Sequence, residues 1–91
     1  MTAVDDTTVP RIAPTYRFQW EEAQQCHVLL YPEGMVKLNP SAAEILQLSD
    51  GQRSVGQIVG ALREKFTEAG PGLARDVDDF LVGAYERGWL K

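Results

Sequence analysis

The apolar residues of this chain change their spacing at one place, Asn39-Pro40, and that change limits what the chain can fold into. Before it, large apolar side chains recur at every second residue or run together in one short block; after it they recur at steps of three and four. Period two belongs to strands and a period of about 3.6 to helices, so strands come first and helices second. Each half carries an apolar face that the other must cover, which predicts an α+β fold with helices packed on one side of a small antiparallel sheet.

Within the first half, Tyr16-Arg17-Phe18-Gln19-Trp20 alternates aromatic with polar residues, the pattern of a strand with one buried face. Cys26-His27-Val28-Leu29-Leu30-Tyr31 is apolar and β-prone enough for a central strand. Pro32-Glu33-Gly34 has turn chemistry, and Met35-Val36-Lys37-Leu38 resumes the extended pattern, so the second and third strands are expected to form a hairpin.

In the second half, Asn39-Pro40 places a capping residue before a proline suited to a first helical turn, and the short helix that follows should stop at Asp50-Gly51. Ser54 with Gln57 three residues on is a capping box, and Val55, Ile58, Val59, Leu62 and Phe66 repeat at helical spacing behind it. Gly70-Pro71-Gly72 interrupts the chain. Leu73, Val77, Phe80, Leu81, Ala84 and Tyr85 then form the apolar stripe of a third helix ending at Gly88, with Trp89-Leu90 folding back over the core. The domain is thus expected over residues 16–91. Residues 1–15, with Pro10, Pro14, four threonines and only Val4, Val9 and Ile12 as sizeable apolar groups, read as a mostly mobile N-terminal arm in which Ile12 is suited to dock onto the core.

Ninety-one residues allow one domain, in which a binding surface is easier to build than a deep catalytic cavity. The net charge of −4 is spread along the chain without a basic block, which disfavours nucleic acid and anionic membrane as partners. The single cysteine excludes an intramolecular disulfide, and neither a signal-like N-terminus nor a long apolar run is present, so a cytoplasmic protein is expected.

Catalytic chemistry finds little footing. Cys26 and His27 are the only thiol and imidazole, and as neighbours in a strand they point to opposite faces. One of each is too few for a metal site, and Asp76, Asp78 and Asp79 do not converge on a helix. No phosphate-binding glycine motif occurs, so no cofactor, metal or catalytic residue is expected. A winged helix reading DNA with its third helix is a rival reading, but that helix carries Asp76, Asp78, Asp79 and Glu86 against Arg75 and Arg87, which repels phosphate.

The third strand is left. With the second strand central, the third is an edge whose unpaired backbone groups invite an added strand, and the third helix offers a wall beside it. The same edge is open to a second copy, so monomer and homodimer both stay open; pairing there would block a peptide.

The run Tyr31-Pro32-Glu33-Gly34-Met35-Val36-Lys37-Leu38-Asn39-Pro40-Ser41-Ala42-Ala43-Glu44-Ile45-Leu46, then Leu48-Ser49-Asp50-Gly51, Ser54-Val55, Asp76-Val77, Phe80-Leu81 and Gly88-Trp89-Leu90, resembles the PqqD family over roughly residues 10–91. The resemblance implies a winged helix-turn-helix-like fold and a peptide chaperone, not an enzyme, in the biosynthesis of pyrroloquinoline quinone (PQQ). Such a chaperone binds the ribosomal precursor peptide PqqA and presents it to the radical SAM enzyme PqqE, which crosslinks a Glu and a Tyr within that peptide. Related domains bind leader peptides of other ribosomal natural-product pathways by the same strand addition. Carried onto this chain, the resemblance implies a peptide edge of Met35, Val36, Lys37 and Leu38, with Lys37 available to an acidic group, and a wall of Arg75, Asp76, Asp79, Phe80 and Gly83. Gly83 lowers helix propensity, which fits either a close approach by the peptide or a helix–helix contact inside the domain.

Overall fold

Two hairpin connections fix the sheet. In the computed structural model, which describes residues 4–91, β1 (Arg17–Glu21), β2 (Cys26–Tyr31) and β3 (Gly34–Lys37) form an antiparallel sheet in the order β1-β2-β3. β2 is central, as expected. The register pairs Phe18 with Leu29 and Leu29 with Val36, so one face carries Phe18, Leu29 and Val36 in a row. Leu29 at its middle is fully buried. Directly opposed residues share a face, so Trp20 and His27 lie on it as well, further along.

That face is not buried throughout. Trp20 is 48% exposed, because alternation tells which face a residue joins and not how far the helices reach across it. The ring of His27 lies parallel to Phe18, centroids 4.9 Å apart, and edge-on to Trp20 at 5.2 Å, while Trp20 Nε1 donates to Glu22 Oε2 at 2.8 Å. The histidine is thus a packing element between aromatic rings.

The helices are α1 (Pro40–Gln47), α2 (Val55–Lys65) and α3 (Leu73–Glu86). Asn39 Oδ1 accepts from the Ala42 N–H at 2.8 Å, with Pro40 in the first turn where its missing N–H costs nothing. The Ser54–Gln57 capping box forms in both directions. Leu46, Ile58, Val77 and Leu81 from the three helices meet Leu29 and Leu38 in one core, each large side chain contributing about 1.5–3 kcal/mol by leaving water. α1 ends at Gln47, earlier than Asp50-Gly51 suggests. Ser49 there is buried with its hydroxyl on the Ile45 carbonyl, and Gly51, at φ +80° with Arg11 Cβ 3.2 Å from where its own Cβ would stand, turns the chain toward α2.

The segment expected to be a mobile arm is laid against the domain from Val4 onward; Met1 to Ala3 lie outside the described residues. Arg11 bridges to Asp50 and Ile12 to Leu90, the Lys91 and Ala13 N–H groups donate to the Arg11 and Trp89 carbonyls at 2.8 Å, and Pro10 is fully buried. Earlier still, the Thr8 carbonyl accepts from the Val55 N–H at 2.7 Å and the Asp6 carbonyl from the Gly56 N–H at 3.1 Å. These are the first two donors of α2, which no residue within that helix can satisfy, and Ser54 Oγ takes the third. An arm poor in apolar side chains is thus ordered through its backbone, and Asp5 Oδ1 shapes it by accepting from the Thr7 and Thr8 N–H groups.

Candidate functional site

The parity of the ladder decides which groups of β3 are free. The Leu38 N–H donates to the His27 carbonyl at 3.0 Å, an exchange between directly opposed residues. In an antiparallel pair such bonded residues alternate along the strand, so Gly34, Val36 and Leu38 turn their backbone groups toward β2. Met35 and Lys37 therefore turn theirs outward, and the open edge offers two N–H donors and two carbonyl acceptors at the spacing an added strand requires.

Side chains divide accordingly. Met35 is 42% exposed and Lys37 is exposed, both on the face away from the helices, while Val36 is half-buried against the core. Leu38 differs from the sequence expectation. Only 6% of it is exposed and its N–H is spent on β2, so it anchors the end of the edge from inside the core.

On α3, Val77, Leu81 and Ala84 are buried. At about 100° per residue, Asp76, Phe80 and Gly83 fall within an arc of roughly 60° on one flank of that stripe, with Asp79 and then Arg75 turning further toward solvent. Phe80 is half-buried against the same core on which Val36 packs. Arg75, Asp76 and Asp79 are exposed. A Cβ on Gly83 would meet only the guanidinium of Arg87, at 3.0 Å, so the helix–helix contact considered for this glycine is not what the structure shows. Arg87 in turn lies over the ring of Trp89 at 5.4 Å.

Asp76 also takes part in a feature that sequence reasoning missed. An open groove of about 710 Å3 runs between α1, the end of α2 and the start of α3, and Asp76 lines it with Pro40, Ile45, Leu62 and Phe66. It adjoins the end of β3, since Pro40 stands two residues beyond Leu38. Lys65 on its rim is paired with Glu44 at 2.8 Å. Phe66, expected in the buried stripe of α2, is 43% exposed: it is the C-cap, its N–H still on the Leu62 carbonyl, and its backbone (φ −118°, ψ 73°) turns the following chain out of the helix.

Electrostatics mark the other flank of α3. Burial, then Asp6 and then Asp79 hold the Asp78 carboxyl above its ordinary value of 3.8, and burial raises the Tyr85 hydroxyl. Among the described residues, no group of His, Cys, Asp or Glu is arranged to hold a metal ion, and no helix is long and apolar enough to cross a membrane.

Comparison with known proteins bears on this geometry. The profile of the family described as "Coenzyme PQQ synthesis protein D (PqqD)" matches residues 26–90. A protein of Azotobacter vinelandii named "PqqA binding protein" is 58% identical over 83 residues, covering 91% of this chain and 89% of its own. One of the same name from Pseudomonas aeruginosa is 56% identical over 84 residues, covering 92% and 90%. Among solved structures, the solution NMR structure of the PqqD truncation of Methylobacterium extorquens PqqCD superposes with a TM-score of 0.80 at 30% identity, over 99% of this chain and 96% of that one. That truncation is described as a functional and stand-alone recognition element for ribosomally synthesized, post-translationally modified peptides. The order of three antiparallel strands and three helices expected from the sequence is the order found.

Proposed function

This chain belongs to the PqqD family, and on that footing we propose that it binds the precursor peptide PqqA by strand addition to β3 and presents it to the radical SAM enzyme PqqE, without performing chemistry itself. The observation that carries the reading is the outward set of backbone groups on Met35 and Lys37 along the open edge of β3. An added strand takes its affinity from those backbone groups and its register from its alternating side chains. Arg75, Asp76, Asp79 and Gly83 form the wall on the α3 side, Lys37 offers a cation to an acidic residue of the peptide, and Leu38 holds the edge in place. That the relatives are named PqqA binding proteins supports PqqA over another leader peptide.

A carrier of this kind needs no cofactor and works in the cytoplasm, where a ribosomal precursor is made. The acids of α3 oppose the rival reading as a DNA-binding winged helix, since they would meet phosphate with like charge. Titration calorimetry of PqqA into the full chain, repeated with PqqE present, tests the proposal. One peptide per chain and a ternary complex with the enzyme are expected; a chain that ignores PqqA in both settings overturns it.

A further inference from the structure

Residues of β3 stand at the open ends of rows that cross the sheet. On the face away from the helices, the register aligns Arg17 with Leu30 and Met35, and Gln19 with Val28 and Lys37. Between these rows, on the helix-covered face, runs that of Phe18, Leu29 and Val36. A strand added to β3 lengthens each row by one residue, so the chemistry at the open end selects the residue that extends it. We propose that β3 reads a three-residue signature in the peptide: an acidic residue followed by two apolar ones from N- to C-terminus, set opposite Lys37, Val36 and Met35. The inference rests on strand addition at β3 and specifies the peptide sequence that addition requires.

The three rows differ in what they lack. Lys37 is exposed and its own row offers it only Val28 and Gln19; the ion pairs among the described residues, Arg53 with Asp50 and Lys65 with Glu44, lie elsewhere. A carboxylate directly opposite Lys37 supplies the missing partner. Met35 is 42% exposed beside half-buried Leu30, and an apolar residue opposite it covers its side chain. In the middle row Leu29 is fully buried and Val36 packs on the core, so the residue that extends it joins a wholly apolar row. Side chains alternate along the added strand, which sets the acid and the second apolar residue two places apart on one face and the first apolar residue on the other.

Direction follows from the backbone. In an antiparallel pairing, both outward groups of Lys37 bond one peptide residue and both of Met35 bond another, and such pairing is the more stable per residue. A peptide antiparallel to β3 meets Lys37 first and Met35 last, which puts the acid at the N-terminal end of the signature.

Calorimetric titration of the full chain with PqqA and a set of substituted PqqA peptides tests the signature. Each acidic residue of PqqA is replaced by Lys in turn and titrated into wild type and into Lys37→Glu. One position is expected to weaken binding to wild type by about three- to tenfold and to recover most of that loss in Lys37→Glu. Asp placed two residues C-terminal to it should weaken binding by a similar factor, with recovery in Met35→Lys and none in Lys37→Glu. Both variants change exposed side chains, and amide NMR checks that they are folded; should either not be, the wild-type titrations still locate the two sensitive positions and their order. A peptide that binds and protects the Met35 and Lys37 amides while no acidic position is sensitive overturns the signature and leaves strand addition standing. A sensitive apolar position two residues N-terminal to the acid overturns the direction. A chain that leaves PqqA unbound overturns both readings.

Discussion

Replacing Lys37 by proline separates folding from peptide capture, because the structure gives adjacent residues of β3 opposite duties. The Lys37 N–H points outward and takes no part in the ladder with β2, so its loss leaves the sheet intact; proline is tolerated at such edge positions, and the extended backbone it favours at Val36 is already present. For an added strand the same change removes one of four backbone bonds, leaves a peptide carbonyl without its donor and puts a ring where the strand must lie. The missing bond and the unsatisfied carbonyl together cost about 1 to 3 kcal/mol, or roughly 5- to 150-fold in Kd. Val36→Pro is the contrast, since the Val36 N–H belongs to the β2 ladder and its removal weakens the fold itself. Calorimetric titration with PqqA, alongside urea denaturation of both variants, reads the two effects apart. A Lys37→Pro protein that is folded and binds the peptide as wild type does would refute strand addition at β3.

Three further outcomes follow from the geometry. Deleting residues 1–9 removes the Thr8 and Asp6 carbonyls from the first turn of α2, and stability should fall by about 1–3 kcal/mol in urea denaturation, since these two bonds each contribute about 1 kcal/mol; an unchanged midpoint would show that the segment carries no stability. Asp78→Asn should raise stability at neutral pH. The folded-state value of Asp78 is raised, so folding favours its protonated form and that contribution is lost as pH rises; the variant's advantage should therefore shrink as pH falls toward 3.8, and a destabilised variant at pH 7 would contradict this. Gly83→Ala should stabilise α3 by about 0.5–1 kcal/mol in thermal unfolding, since only the mobile end of Arg87 must give way; weaker peptide binding in the same variant would locate the peptide backbone against this flank.

Much of this molecule was legible in its sequence because side chains announce it. The Ser54–Gln57 capping box, the Asn39-Pro40 helix entry and the Pro32-Glu33-Gly34 turn each rest on residue types with a particular local chemistry, and all three form as read. What stayed hidden runs through the backbone. Thr8 and Asp6 cap α2 with carbonyl groups that any residue possesses, so a segment of threonines and prolines gave no sign of being held. Leu38 was grouped with the exposed edge since it continues the β3 pattern, and only the register shows its N–H turned toward His27. Trp20 and Phe66 follow their apolar periods faithfully and are exposed all the same, one beyond the reach of the helices and the other past the end of its own. Period identifies a face; the lengths of the elements packed on it decide which of its residues are covered.

Amide hydrogen exchange of the full chain with and without PqqA tests the central claim most directly, since the outward N–H groups of β3 are two identified amides. The account predicts that saturating peptide slows exchange at Met35 and Lys37 together, with Phe18 and Trp20 on the far edge of the sheet unchanged. Peptide binding that protects neither Met35 nor Lys37 would contradict it and place the peptide elsewhere on the molecule.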